Sequence, residues 1–304
     1  MNVILGTGPL GMSVMRELAA SGEPVKMVSL SGNASVPAGV EVVKADLMDK
    51  GQAQDVMKNA KFVFQCAQPS YQKWDPLFLP FQENIVAGAM AAEARLVVAE
   101  NLYMYGEVKG SLHEGLPYAA VTRKGKIRAE MSRRLLKQFQ EGRLLVTMGR
   151  GSDFFGPGVF NSAVGRLFKS IGEGKTCTVI GNPDKKHTYT FIDDFGKALV
   201  VLSRQEDAFG RAWHVPNADT VTTREFLEMA YKLAGHSPSI RSMGKGMLRI
   251  GGIFLPEARE SIEMLYQFEQ DFIVDSSSFT ERFKLAATPL ELALTKTLAW
   301  SRHQ

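Results

Sequence analysis

The N-terminal stretch Asn2-Val3-Ile4-Leu5-Gly6-Thr7-Gly8-Pro9-Leu10-Gly11 decides how the rest of the chain is read. A short, mainly apolar run leads straight into Gly6-Thr7-Gly8-Pro9-Leu10-Gly11, and a helical pattern follows over residues 10–20. The spacing is G-x-G-x-x-G, a weak signal alone but a specific one between a strand and a helix. Each glycine has its own reason. Gly6 permits the tight turn, Gly8 lets the backbone approach a pyrophosphate, and Gly11 lets helix and strand pack closely. The helix start then offers free N–H groups and the positive end of a dipole to phosphate oxygens. Gly6, Thr7, Gly8, Pro9, Leu10 and Gly11 are therefore the expected cradle of a dinucleotide.

Working outward, short apolar runs alternate with helical patterns. Strands are expected at 3–5, 25–30, 41–44, 62–66, 96–99 and 144–148, and helices at 10–20, 52–59, 81–94 and 125–141. Continuous apolar strands separated by helices indicate a parallel sheet covered on both faces. Right-handed crossovers make it an α/β, doubly wound sheet of Rossmann type. Beyond Gly149 the pattern loosens into Gly151-Ser152-Asp153-Phe154-Phe155-Gly156-Pro157-Gly158, with helices expected near 161–171, 223–234 and 258–268 and one more strand of the main sheet at 212–215. The expected division is a dinucleotide-binding domain at 1–158, to which 186–216 returns. A smaller, discontinuous substrate lobe takes 159–185 and 217–304.

Composition narrows the class. The 304 residues are 45% hydrophobic and 22% charged, as in ordinary globular proteins. No apolar run reaches the about 18 residues a membrane span needs, and, with a strand expected from the first residues, no signal peptide is expected. The two cysteines, Cys66 and Cys177, lack metal-ligand spacing. The cytoplasm is the expected location, with no membrane partner. The five histidines show no metal spacing either, so no metal is expected. Net charge is +4, and eight basic residues crowd between Arg123 and Arg143. Ile127, Met131, Leu135 and Phe139 form an apolar stripe there, so most of the charges are expected on the wet face of a helix. That reading leaves no role for nucleic acid.

The end of the second strand distinguishes NAD from NADP. A carboxylate there binds a ribose 2′-hydroxyl, whereas a basic group receives a 2′-phosphate. Met27-Val28-Ser29-Leu30-Ser31-Gly32-Asn33 contains neither an acid nor an arginine. Ser29 and Ser31 can donate to a phosphate and nothing repels one, so NADP is the expected cofactor, with NAD still open.

Further motifs carry a resemblance. Ala45-Asp46-Leu47-Met48-Asp49, Phe64-Gln65-Cys66-Ala67, Asn84, Asn101-Leu102-Tyr103-Met104-Tyr105-Gly106, Arg150 before Phe155-Gly156-Pro157-Gly158, Phe191-Ile192-Asp193-Asp194 and Thr288-Pro289-Leu290 occur in order along the whole chain. In these the chain resembles the extended and atypical short-chain dehydrogenase/reductases, the NAD-dependent epimerase/dehydratase superfamily. The resemblance implies that Asp46 and Leu47 lie beside the adenine and Ala67 beside a cofactor ribose. It also allows a homodimer through the helices at 81–94 and 125–141.

The family's site uses Ser or Thr with a Tyr-x-x-x-Lys pair, in which lysine lowers the phenol's pKa and holds the ribose. The resemblance places the lysine at Lys126, but Thr122 stands where tyrosine belongs and Asn101 where serine or threonine belongs. An alcohol is far less acidic than a phenol, so Thr122 cannot do the same proton chemistry. Asn101 retains an amide able to donate to an oxyanion. Tyr103 is a phenol on a segment that faces the reaction centre in relatives; it reads either as a surrogate acid or as a pocket wall. Tyr118 is a further donor candidate. His187 reads equally as a substrate contact or a hydrogen-bonded structural residue, His214 as structural, and Asp193 and Asp194 as anchors of a helix.

Two functions stay open: an NAD(P)-dependent oxidoreductase or epimerase-like enzyme on a small carbonyl or hydroxyl substrate, or a non-catalytic NAD(P)-binding sensor or regulator. Substrate contacts are expected in the smaller lobe. Arg241, Lys245 and Arg249 suit a diphosphate, whereas Met243, Met247, Leu248, Ile250, Phe254 and Leu255 suit an apolar compound.

Overall fold

The computed structural model describes residues 1–160, 164–244 and 262–302. Its contacts divide the chain into two compact units. The first comprises Met1–Met104, Lys124–Gly151 and Phe195–Val215; the second comprises Tyr105–Arg123, Ser152–Asp194 and Pro216–Gln304. The segment returning to the first unit is thus 195–215, against the expected 186–216, and 105–123 falls to the second unit.

In the first unit, β1 (Asn2–Leu5), α1 (Pro9–Ala20), β2 (Val25–Ser29), β3 (Glu41–Lys44), α2 (Lys50–Met57), β4 (Phe62–Gln65), α3 (Trp74–Ala91), β5 (Arg95–Glu100), α4 (Arg123–Gln140) and β6 (Val146–Arg150) follow one another. With the strand Ala212–His214 they build a seven-stranded sheet in the order Ala212–His214, β6, β5, β4, β1, β2, β3. Every pairing in it is parallel. The doubly wound fold expected from the alternation is what forms. β1, β4 and β6 are buried along their whole length, as strands covered on both faces must be. The core brings Val3, Leu5, Val63, Leu96, Val98 and Val146 from the strands together with Phe81, Ile85, Met131 and Leu135 from α3 and α4.

Local signals explain some element ends. Asp49 caps α2 by accepting from the Gln52 N–H. α3 begins at Trp74, seven residues before the expected 81, because Pro76 and Pro80 concealed its first turns. Pro76 follows the non-helical Asp75 and stands in a first turn, where its missing N–H has no intrahelical partner, whereas Pro80 stands inside the helix.

In the second unit, a core of Phe155, Phe168, Phe191, Phe226, Tyr231 and Leu294 joins short strands to helices Gly165–Gly172, Thr223–Ala234 and Leu290–Ser301. Thr222 and Glu225 close a reciprocal capping box on Thr223–Ala234, and Gly235 ends that helix in the left-handed region at φ 80°. The expected helices at 161–171 and 258–268 fall partly outside the described residues. Of the second, Tyr266–Glu269 is helical. No helix among the described residues is long and apolar enough to cross a membrane.

Candidate functional site

The Gly6–Gly11 turn lies at the carboxyl end of β1. Gly6 has φ +114°, and a Cβ on it would stand 3.0 Å from the Ala67 backbone N, so the turn packs directly on the end of β4. A Cβ on Gly11 would stand 2.1 Å from the Gly6 carbonyl oxygen, which leaves no alternative to glycine there. Gly8 differs: it is exposed, extended (φ −73°, ψ 178°), and a Cβ there would meet nothing within 4 Å. The open space lies over the start of α1, whose first turn carries no side-chain cap and no acid. That is the arrangement an incoming anionic phosphate requires.

At the end of β2 the serines are tied into their own turn. The Gly32 N–H donates to Ser29 Oγ at 3.1 Å, the Asn33 N–H to Ser31 Oγ at 3.2 Å, and the two hydroxyls lie 3.3 Å apart. The sequence reading missed Lys44. It is the β3 residue in register with Ser29, and a Cβ on Gly32 would stand 2.7 Å from its Cβ. An exposed ammonium therefore belongs to this turn, although it lies 15 residues after Ser29 and no local pattern marks it. Asp46 accepts from the Met48 N–H at 2.9 Å, and Asn84 donates to the carbonyls of Leu47 and Met48 at 3.1 and 2.8 Å. This holds the segment after β3 against α3.

Two strands away from the glycine turn, at the carboxyl end of β5, Asn101 Oδ1 accepts from the Tyr103 N–H at 3.2 Å. The same bond positions Tyr103 and leaves the Asn101 –NH₂ as the donating end. Tyr103 is half-buried, with its ring 6.0 Å from that of Trp74. Lys126 is exposed, and the helix faces explain why. Lys124 and Arg128, one turn apart, share a buried face at 1% and 4% exposure, whereas Lys126 lies about 200° around the helix from Lys124. Most of the basic residues of this stretch face water, as expected, and Lys124 and Arg128 are the two that do not. Period alone reads a charge as outward, but aromatic rings just before and within the start of α3 receive these two cations. Lys124 Nζ lies 4.4 Å from the Tyr71 ring centroid, and the Arg128 guanidinium lies 4.5 and 4.4 Å from the rings of Trp74 and Phe78. Burial pulls the Arg128 guanidinium down to about 10, opposed by Glu100, Tyr103 and Tyr71, so it stays charged at neutral pH. Burial also pushes the Cys66 thiol up to about 12, which makes it a poor nucleophile.

Arg150 ends β6, at the carboxyl edge of the sheet, and is fully buried: its Nε donates to Glu100 Oε2 at 2.9 Å, and Ser132 Oγ donates to Glu100 Oε1 at 2.6 Å. The ion pair ties β5, β6 and α4 together beneath the candidate site. Removing one partner of such a pair strands the other charge in the core. Glu100→Gln is expected to cost about 3–5 kcal/mol, read as a lower urea midpoint; an unchanged midpoint contradicts the structural role.

In the second unit, Thr122 Oγ1 donates to Met264 Sδ at 3.8 Å, and the Tyr118 ring packs 5.9 Å from that of Tyr105. His187 lies between Phe268 and Phe272, with Nε2 2.8 Å from Asp153 Oδ2 and Nδ1 3.1 Å from the Gln267 carbonyl. Of its two sequence readings, the hydrogen-bonded structural one describes this environment. His214 is buried within its strand. Asp194 accepts from the N–H and hydroxyl of Thr288, both at 2.7 Å, and so anchors that segment. Arg241 lies on the strand Ile240–Met243; Lys245, Met247, Leu248, Arg249, Ile250, Phe254 and Leu255 lie outside the described residues. No cluster of metal-ligating side chains occurs among the described residues.

A parallel doubly wound sheet with an uncapped glycine turn on its first strand defines a dinucleotide-binding α/β protein. Residues 3–215 match the model of the NAD dependent epimerase/dehydratase family, and the chain belongs to that family. A curated relative, 3beta-hydroxysteroid-dehydrogenase/decarboxylase isoform 2 of Arabidopsis thaliana, is 22% identical over 298 residues. That match takes in 87% of this chain but 52% of the relative, so the chain spans about half its length. Among solved structures, a UDP-glucuronic acid 4-epimerase from Bacillus cereus in complex with UDP-glucuronic acid and NAD superposes with a TM-score of 0.81 at 13% identity, over 100% of this chain and 99% of that one. A dTDP-glucose 4,6-dehydratase double mutant from Streptomyces venezuelae, with NAD bound, gives 0.81 at 15% identity, over 100% and 97%. At these identities the likeness concerns the fold.

Proposed function

We propose that the protein is an NAD(P)-dependent oxidoreductase or epimerase-like enzyme acting on a small carbonyl or hydroxyl compound, with a proton donor other than the family's tyrosine. The observation that carries this reading is the grouping at the end of β5. A phenol, Tyr103, held through its backbone by Asn101, interacts electrostatically with the buried Arg128. A dinucleotide held at the Gly6–Gly11 turn would supply the hydride chemistry. Tyr103 Oη gives its proton to the carbonyl oxygen as hydride reaches carbon, and takes it back in the reverse direction. Arg128 favours the phenolate left behind, the part that the resemblance gave to Lys126. The Asn101 amide donates to the same oxygen as negative charge develops on it. Thr122 has no part in this scheme. Incubating the purified protein with NADPH and a panel of carbonyl compounds tests the reading through cofactor oxidation. Tight dinucleotide binding without turnover favours the sensor instead, a second reading that rests on Thr122 and Asn101 standing where the family has its tyrosine and its serine or threonine.

NADP remains the proposed cofactor, and Lys44 is the added support. An ammonium in register with Ser29 offers a 2′-phosphate the charge that the β2 turn itself lacks. NADPH is expected to bind more tightly than NADH by about tenfold, the equivalent of roughly 1.4 kcal/mol. Lys44→Glu is expected to abolish or invert that ratio in fluorescence titrations. A wild-type preference for NADH removes the assignment.

A further inference from the structure

Among the described residues, the buried Arg128 guanidinium has no carboxylate hydrogen-bonded to it. Arg128 is 4% exposed, yet its one hydrogen bond among the described residues goes from Nη2 to a neutral acceptor, Gln68 Oε1, at 3.0 Å. Its Nε is buried without a hydrogen-bond partner, as is Trp74 Nε1 beside it. Glu100 contributes at a distance, but its oxygens already accept from Arg150 and Ser132. Lys124 lies one turn before Arg128 on the same face, so a second cation stands beside the first. A buried guanidinium held this way is costly, and an anion that completes its donors offsets the cost.

We propose that Arg128 and Lys124 form the recognition site for a carboxylate on the substrate, so that the reaction handles an oxo or hydroxy acid. The inference rests on the oxidoreductase reading above and narrows its substrate class. Three features support it. Its cations stand on α4 and its rings at residues 71–78, so none of its groups belongs to the glycine turn assigned to the cofactor's pyrophosphate. It shares the end of β5 with Asn101 and Tyr103, so a carboxylate held there places a neighbouring carbonyl within the reach of those groups. The guanidinium lies against the rings of Trp74 and Phe78, which leaves its edge for binding. A planar carboxylate matches that edge in two parallel hydrogen bonds. Gln68 is exposed, so displacing its side chain opens a path from solvent to Arg128.

Calorimetric titration of the full chain, with and without saturating NADPH, tests this using oxamate, its neutral counterpart oxamide, and inorganic phosphate. Oxamate is expected to bind and oxamide not. Arg128→Met and Lys124→Met are each expected to weaken oxamate at least tenfold, with NADPH affinity unchanged. Arg128→Lys is expected to restore part of the loss. A structural role predicts a lower melting temperature for Arg128→Met; a cation kept for a ligand predicts an equal or higher one. Equal binding of oxamide, full oxamate affinity in Arg128→Met, or no oxamate binding by a protein that binds NADPH overturns the proposal. Phosphate binding more tightly than oxamate overturns the carboxylate assignment. Oxamate binding without any NADPH binding leaves the anion site standing and sinks the oxidoreductase reading alone.

Discussion

Tyr103→Phe is expected to lower turnover by about 10²–10⁴-fold, the usual contribution of a general acid, while Thr122→Ala changes it by less than about tenfold. The contrast follows from where the two side chains lie. Tyr103 is a half-buried phenol at the end of β5, with Arg128 close enough to act on its charge. Thr122 spends its hydroxyl on the Met264 sulfur. Phenylalanine keeps the ring contact with Trp74, so the substitution removes the acid and little of the packing. Steady-state kinetics on any active carbonyl substrate decides the matter. Full kcat in Tyr103→Phe removes Tyr103 from the mechanism and makes Tyr118 the next phenol to substitute.

Gly8→Asp is expected to abolish dinucleotide binding in a protein that still folds. A Cβ at this position meets nothing within 4 Å and the backbone is already extended, so aspartate enters without strain. The same side chain then places bulk and negative charge where the phosphates must approach the first turn of α1. Gly11 supplies the contrast, since a Cβ there collides with the Gly6 carbonyl and Gly11→Ala should destabilise the fold itself. Circular dichroism and calorimetry together separate these cases. Near-wild-type affinity in folded Gly8→Asp would falsify the assignment of this turn to the phosphates.

The proposed site divides into residues that a motif marks and residues that only the folded chain brings in. Asn101 and Tyr103 were visible in the sequence because a six-residue motif marks them. Lys44, Lys124 and Arg128 were not. Lys44 becomes relevant only because β3 pairs with β2 in a register that sets it opposite Ser29. Lys124 and Arg128 carried a signal, a basic pair at i and i+4, but it was submerged among six other basic residues of the same region. A helical period assigns charged residues to water unless a counter-surface is known, and here the counter-surface is a set of rings more than 40 residues upstream.

By itself, then, the sequence determined the class of fold, the order of the elements from β1 to β6 and the glycine turn between β1 and α1. Those depend on near-neighbour physics: apolar strands alternating with helical periods, and three glycines whose absent side chains suit one backbone path. Tertiary structure alone decided which charges are buried. Arg150 went under the site to pair with Glu100, Lys126 went to solvent, and Lys124 and Arg128 went inward. The free energy of a charged side chain is set by the dielectric and the partners that the folded chain assembles around it, and those partners come from distant segments.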